Sequence, residues 1–207
     1  MLTKLQNMFS GPKKPNNSII VVSGLPRSGT SLMQAMLQAG GIEPLTDGLR
    51  TADENNPKGY YEFERVKALK DGDTAWLEQA TGKSVKIISA LLSYLPSQYE
   101  YCILFMRRNI DEILASQKAM LVDRKEATNK VSDEELTRIF QKHLENTERW
   151  LGEQGNMRVL TISYNQLLED PGPDLARIDQ FLDGKLQVDA MAKVIDQNLY
   201  RRRKSSK

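Results

Sequence analysis

Cysteine and histidine are nearly missing from this chain of 207 residues, which carries one of each, Cys102 and His143. A lone cysteine excludes an internal disulfide and fits a reducing compartment, so a cytoplasmic setting is expected. Zinc sites usually draw several His or Cys ligands, and this composition offers too few, so no metal is expected. Long apolar runs are missing as well: the richest stretch, Ile19 to Leu25, is strand-sized, far short of the roughly 20 residues that cross a bilayer. The opening MLTKLQNMFSGPKKPNN lacks the apolar segment and small-residue cleavage pattern of a secretory signal and reads as a flexible leader. An excess of one charge is also lacking. Lys and Arg total 29 against 27 for Asp and Glu, a net charge of +2, so no broad field favours nucleic acid and any anion site must be local.

What is present suits one globular core, since 40% of the residues are apolar. The expected organisation is a leader over 1–17, one α/β domain over 18–199 and a basic tail over 200–207. Ser18 to Ser23 (SIIVVS) has the β-branched composition of a central strand buried on both faces. Leu32, Met33, Met36 and Leu37 then recur at helical spacing, predicting a helix from near Thr30 to near Gln38, where Gly40 and Gly41 stop it. Ile42 to Tyr61 is rich in Asp, Asn, Pro and Gly and reads as a long substrate-side loop. Beyond it the periodicity predicts a helix around Val66 to Leu77, strands at Val85 to Ile88 and Tyr101 to Met106, and a helix over Ile110 to Met120. Ser132, with Glu135 three residues on, forms a capping-box pattern ahead of a long amphipathic helix. Val159 to Ile162 reads as a further strand, and helices are predicted over Asp174 to Leu182, after Pro173, and over Val188 to Gln197. Strands alternating with helices imply a three-layer α/β/α domain with a mainly parallel central sheet.

The first strand and first helix are joined by Gly24-Leu-Pro-Arg-Ser-Gly29. Its two glycines have the separation of a Walker A loop and lie where such a loop must lie, so the domain is of P-loop type. Glycine permits the sharp turn, backbone N–H groups converge on an oxyanion, and the helix N-terminus adds positive potential. The bland alternative is an ordinary strand-to-helix turn. The Walker lysine is absent: Thr30 and Ser31 follow Gly29, and the positive charge sits inside the loop at Arg27. The YCILFM strand ends in Arg107 and Arg108 instead of an acidic residue suited to magnesium, which argues against an NTPase.

GLPRSGTSL resembles the 5′-phosphosulfate loop of the sulfotransferases that use 3′-phosphoadenosine 5′-phosphosulfate (PAPS), and FMRRNIDEILAS is similar to that family's 3′-phosphate motif. The resemblance covers most of Ile19 to Leu182. It implies that Arg27, Ser28, Gly29, Thr30, Ser31 and Leu32 form the 5′-side of a PAPS site and that Arg108 and Ser116 hold the 3′-phosphate. LTISYNQLLEDPGPDLARIDQFL is similar to a later family segment, which places Tyr164 near the nucleotide. DENNPKGYYEFE looks most like the middle region of bacterial members whose substrates are unassigned. A tail of Arg201, Arg202, Arg203 and Lys204 either closes over the 3′-phosphate, as in family members, or is a solvated end.

Sulfuryl transfer moves a loose planar group in line between two oxygens, so catalysis is positioning plus stabilisation of charge on the leaving phosphate. An always-charged guanidinium at Arg27 suits that second task. Lys86 matches the family's strand lysine, but Ile88 stands where cytosolic members have a histidine, so the base must lie elsewhere: Glu62, with Glu64 and Asp47 as alternatives. Against these stand plainer roles: a surface ion pair for Arg108, a helix face for Ser116, packing for Tyr164, and solvated charges at Glu62 and Lys86. His143 and Cys102 are expected to be structural. The acceptor is a small molecule, sugar or peptide bearing a hydroxyl or amine, and its pocket is open, shaped by the Ile42 to Tyr61 loop, or completed by a second subunit in a homodimer. The alternatives in function are a P-loop kinase or nucleotidase and a non-catalytic nucleotide-binding protein.

Overall fold

The computed structural model describes residues 18–49, 60–123 and 131–195. The leader, residues 50–59 of the long loop and the basic run Arg201 to Lys204 lie outside the described residues.

Four parallel strands form one sheet in the order β2-β1-β3-β4, with β1 Ile19–Gly24, β2 Ser84–Lys86, β3 Tyr101–Arg107 and β4 Met157–Ser163. Side chains alternate across a strand, and here both faces are covered, so the two-residue period separates two cores. Ile19 and Val21 of β1 and Ile103 and Phe105 of β3 join Trp76, Leu77 and Leu144 on one face. Ile20 and Val22, with Leu104 and Met106, join Met33, Met36 and Ile178 on the other. This is why SIIVVS and YCILFM read as near-continuous apolar runs.

Helices α1 Thr30–Ala39, α2 Ile110–Asp123, α3 Asp133–Gly152, α4 Tyr164–Glu169, α5 Pro171–Phe181 and α6 Val188–Val194 cover the sheet. At the start of α3 the Ser132 hydroxyl accepts from the Glu135 amide at 3.2 Å, as the capping pattern predicts. Among the described residues, no helix is long and apolar enough to cross a membrane.

The structure corrects several boundaries. The single helix expected over Val66 to Leu77 is two 3₁₀ helices, Glu64–Asp71 and Ala75–Ala80. Gly72 between them adopts φ 88°, a left-handed turn that ends the first. The strand expected over Val85 to Ile88 ends at Lys86, although the Ile87 amide still donates to the Val22 carbonyl at 3.0 Å. A 3₁₀ helix, Ser89–Tyr94, follows directly. Helix α5 begins at Pro171 instead of after Pro173, because the first helical turn needs no N–H partner and tolerates proline. The short α4 escaped the sequence reading, α2 runs past Met120, and α6 ends at Val194, short of the expected Gln197, because Ile195 is extended.

The register sets the place of the site. Gly24 pairs with Met106, and Arg107 with Ser163, so β1, β3 and β4 all end at the same edge of the sheet. Lys86 of β2 lies beside Val22 near that edge. Chain order reverses direction between β1 and its two neighbours, which opens a crevice beyond the carboxyl ends of the strands.

Candidate active site

The loop after β1 is held by close packing at its two glycines. A Cβ on Gly24 would lie 2.5 Å from Ser28 Oγ and 2.6 Å from the Met106 carbonyl. A Cβ on Gly29 would lie 2.3 Å from Cδ2 of Tyr164. Both glycines have positive φ, and Gly29 caps α1 without a side chain, so the first-turn amides of that helix have no side-chain cap. Between them Arg27 adopts φ 72°, a left-handed conformation unusual for a residue with a side chain. Ser28 is buried, and its hydroxyl has no hydrogen-bond partner among the described residues.

Three strand ends bring polar side chains to this loop. Arg27 Nε donates to Ser116 Oγ of α2 at 2.9 Å, and Arg108 Nη1 donates to the Arg27 carbonyl at 3.1 Å. The guanidinium of Arg108 stacks 4.5 Å above the Tyr164 ring. Burial pushes the Tyr164 phenol above its ordinary pKa, with Arg108 opposing that shift. Arg108 Nε also donates to Glu112 Oε2 at 3.0 Å, and the other carboxylate oxygen accepts from Asn165 Nδ2 at 3.0 Å. Asn165 Oδ1 in turn accepts the Asn109 amide at 3.2 Å, tying α4 to the end of β3.

Glu112 and Asn165 were missed from the sequence. Glu112 carried a weak signal, being an acidic residue four positions after Arg108, in the first turn of α2. Arg107, by contrast, points to the surface, where it pairs with Glu148 at 3.0 Å.

On the other side of the loop stand Lys86 and Glu62, 3.3 Å apart and with 10% and 27% of their side chains exposed, so neither is a freely solvated charge. Lys86 Nζ also donates to the Tyr60 carbonyl, which accepts from Ser31 Oγ at 3.4 Å. The Glu62 backbone is fixed by Thr46, whose hydroxyl donates to the Glu62 carbonyl at 2.8 Å. Leu45 donates to the Ser84 carbonyl at 2.7 Å, so the described start of the long loop is anchored to β2.

Arg27, Thr30, Glu62, Lys86, Arg108 and Met120 line one cavity of about 250 Å³. Asp47 and Glu64 do not reach it: Asp47 accepts the Glu64 amide at 2.6 Å, while the Glu64 carboxylate pairs with Lys67 at 2.8 Å. His143 does not line this cavity: its Nε2 lies 2.8 Å from Ser89 Oγ, and burial lowers its pKa. Cys102 is buried in β3, and burial raises its thiol pKa.

This arrangement presents two guanidiniums and uncapped helix amides to an anion, with a lysine–glutamate pair across the cavity. The sequence over residues 17–207 matches a family model described as the sulfotransferase domain. No curated protein matches the chain. Among solved structures, retinol dehydratase in complex with androsterone and the inactive cofactor PAP is 16% identical with a TM-score of 0.48. That match covers 87% of this chain, which spans 63% of the length of the dehydratase chain. A sulfotransferase domain from the curacin biosynthetic pathway is 15% identical, TM-score 0.49, with 88% and 89% of the two chains covered. A sugar kinase from Janibacter sp. is 13% identical, TM-score 0.43, covering 87% and 99%.

Proposed function

The chain belongs to the sulfotransferase-domain family, and on that premise we propose that it transfers the sulfuryl group of PAPS to a hydroxyl or amine of an acceptor. The observation that carries this reading is the convergence of Arg27 and Arg108, from the ends of two different strands, on one cavity that also holds Lys86 and Glu62. The cradle suits a phosphate-bearing nucleotide: backbone amides at an uncapped helix start, the Thr30 and Ser31 hydroxyls, and a buried Ser28 hydroxyl with no partner among the described residues.

In this reading the loop amides, with Ser28, Gly29, Thr30, Ser31 and Leu32, hold the 5′-phosphate, and Arg108 with Ser116 holds the 3′-phosphate. Tyr164 supports Arg108 by stacking and closes over Gly29. Glu62 takes the acceptor proton as the acceptor oxygen or nitrogen bonds to sulfur. The bond between sulfur and the bridging phosphate oxygen breaks, its electron pair stays on the phosphate, and 3′,5′-ADP leaves. Arg27 and Lys86 stabilise the charge that develops on that bridging oxygen. The 3.3 Å pair with Lys86 also holds the Glu62 carboxylate at the cavity, where a base must lie to reach the acceptor. No step in this scheme calls on a metal ion.

The test is turnover of PAPS with a mixed panel of alcohols and amines in the presence of EDTA, following 3′,5′-ADP by chromatography. The expected result is steady release of 3′,5′-ADP, slowed about 100- to 1000-fold by Arg27→Ala, the usual loss when one charge-stabilising donor is removed. Intact PAPS alongside magnesium-dependent turnover of ATP would overturn the reading in favour of a kinase or nucleotidase.

A further inference from the structure

A second cavity of about 210 Å³ adjoins the first, and the two share Glu62, Lys86 and Ile88. Its remaining walls are apolar apart from Lys67: Phe63, Val66 and Leu91. Phe63 is held edge-on against Trp76, ring centroids 5.4 Å apart, so this wall is a fixed surface. Lys67 is already paired with Glu64 at the exterior. Ile88 is a large apolar side chain with 38% of its surface exposed at the junction of the two cavities. It stands two residues after the end of the strand that supplies Lys86.

We propose that this cavity binds the acceptor, and that the acceptor is a hydroxyl carried on a compact apolar body, selected by Ile88 and Leu91. The inference rests on the sulfuryl-transfer reading for its chemistry and deepens it by naming the acceptor class. Among the described residues, Lys86 and Glu62 are the only polar groups that the second cavity shares with the first. An acceptor seated there therefore has one position at which a hydroxyl meets a base and faces the nucleotide, while the rest of its surface meets hydrocarbon. A sugar in the same place would press several hydroxyls against Phe63, Val66 and Leu91, removing their water without supplying partners, and a peptide backbone would do the same with its amides. Size agrees with this choice. An apolar cavity of roughly 150 Å³ accommodates benzene, so this one accepts a substituted ring or two small fused rings. On transfer, the acceptor hydroxyl proton passes to Glu62, the acceptor oxygen bonds to sulfur, and the electron pair of the broken S–O bond leaves with 3′,5′-ADP.

The experiment titrates 2-naphthol, N-acetylglucosamine and the capped tripeptide Gly-Ser-Gly into the protein by calorimetry, both free and saturated with 3′,5′-ADP. Wild type, Ile88→Ser and Leu91→Ser are compared; Ile88 is exposed enough that its substitution leaves the core intact. The expected result is binding of 2-naphthol alone, weakened about tenfold by either substitution, with 3′,5′-ADP affinity of Leu91→Ser within about twofold of wild type. Binding of the sugar or the peptide in preference to 2-naphthol, absence of 2-naphthol binding, or binding indifferent to both substitutions would overturn the proposal. Failure of wild type to bind 3′,5′-ADP would instead defeat the transfer reading, and 2-naphthol titrated into the free protein would still decide the pocket.

Discussion

Arg27 is tied into the candidate site through its backbone as well as its side chain. Its carbonyl accepts Arg108, its Nε reaches Ser116, and its φ of 72° turns the loop between two glycines. Arg108 is held from more directions still, by Glu112, by the Arg27 carbonyl and by the Tyr164 ring. If the Glu112 carboxylate aims this guanidinium, Glu112→Gln keeps the shape but weakens the charge-assisted bond. A stability loss of about 2 kcal/mol is expected in urea unfolding, together with a fall of about tenfold in the preference for 3′,5′-ADP over 5′-AMP. Equal weakening of both nucleotides would mean a merely structural role. A rise in preference would mean that the negative charge of Glu112, and not the orientation it imposes, governs the site.

The contrast between Arg27 and Glu112 explains what could be read at this scale. Arg27 lies between two glycines in a local pattern whose geometry is dictated over six residues, so the sequence exposes it. The Glu112–Asn165 bond joins residues 53 apart, and no local period encodes that pairing. Glu62 and Lys86 were each identifiable as candidates, but their mutual contact depends on the fold of the intervening chain. Asp47 and Glu64 stood behind Glu62 as candidate bases in the sequence; only the structure shows that they bind the loop and the surface instead of lining the cavity.

Among the elements, α3 is hydrogen-bonded through His143 to the segment that follows Lys86. His143 Nε2 lies 2.8 Å from the hydroxyl of Ser89, at the start of the 3₁₀ helix Ser89–Tyr94, and burial lowers the histidine pKa below its ordinary 6.5. The unfolded chain therefore takes up this proton first as pH falls. Stability from the neutral histidine is intact above pH ~6.5 and declines below it, through the lowered folded-state pKa. The urea midpoint of wild type is expected to fall between about pH 7.5 and 5.5, and His143→Gln is expected to fall less over the same interval. An identical fall in both proteins would show that carboxylates carry the whole effect.

Elements with one dominant signal were legible. The β-branched run of β1, the apolar run of β3 and the capped amphipathic α3 all lie where the residues imply, because burial on two faces or on one stripe leaves a strong period. The 3₁₀ segments were not, since a 3₁₀ turn shares apolar spacing with an α-helix over one or two turns. Gly72 carries the only local mark of the break between the first two, and α4 is too short at 6 residues to show a period.

Across the whole molecule, the parallel sheet gathers the candidate side chains. Every strand delivers its carboxyl end to one edge or close to it, and the order β2-β1-β3-β4 puts the loop after β1 between Lys86 and Arg108. Alternation of strands and helices made the parallel α/β fold readable from the chain, and the family match over residues 17–207 agrees with the resemblance carried by GLPRSGTSL and FMRRNIDEILAS. The second cavity was not readable, because Phe63, Val66, Ile88 and Leu91 come from different segments and share no pattern.

The central claim is that one cavity recognises both phosphates of a 3′-phosphorylated nucleotide. Calorimetric titration with 3′,5′-ADP, 5′-AMP and ATP, with and without magnesium, tests it most directly, using Arg108→Ala as the comparison. The account predicts metal-independent binding of 3′,5′-ADP that is at least about tenfold tighter than that of 5′-AMP, with the preference lost in Arg108→Ala. Indifference to the 3′-phosphate, or tightest binding of ATP with magnesium, would contradict it.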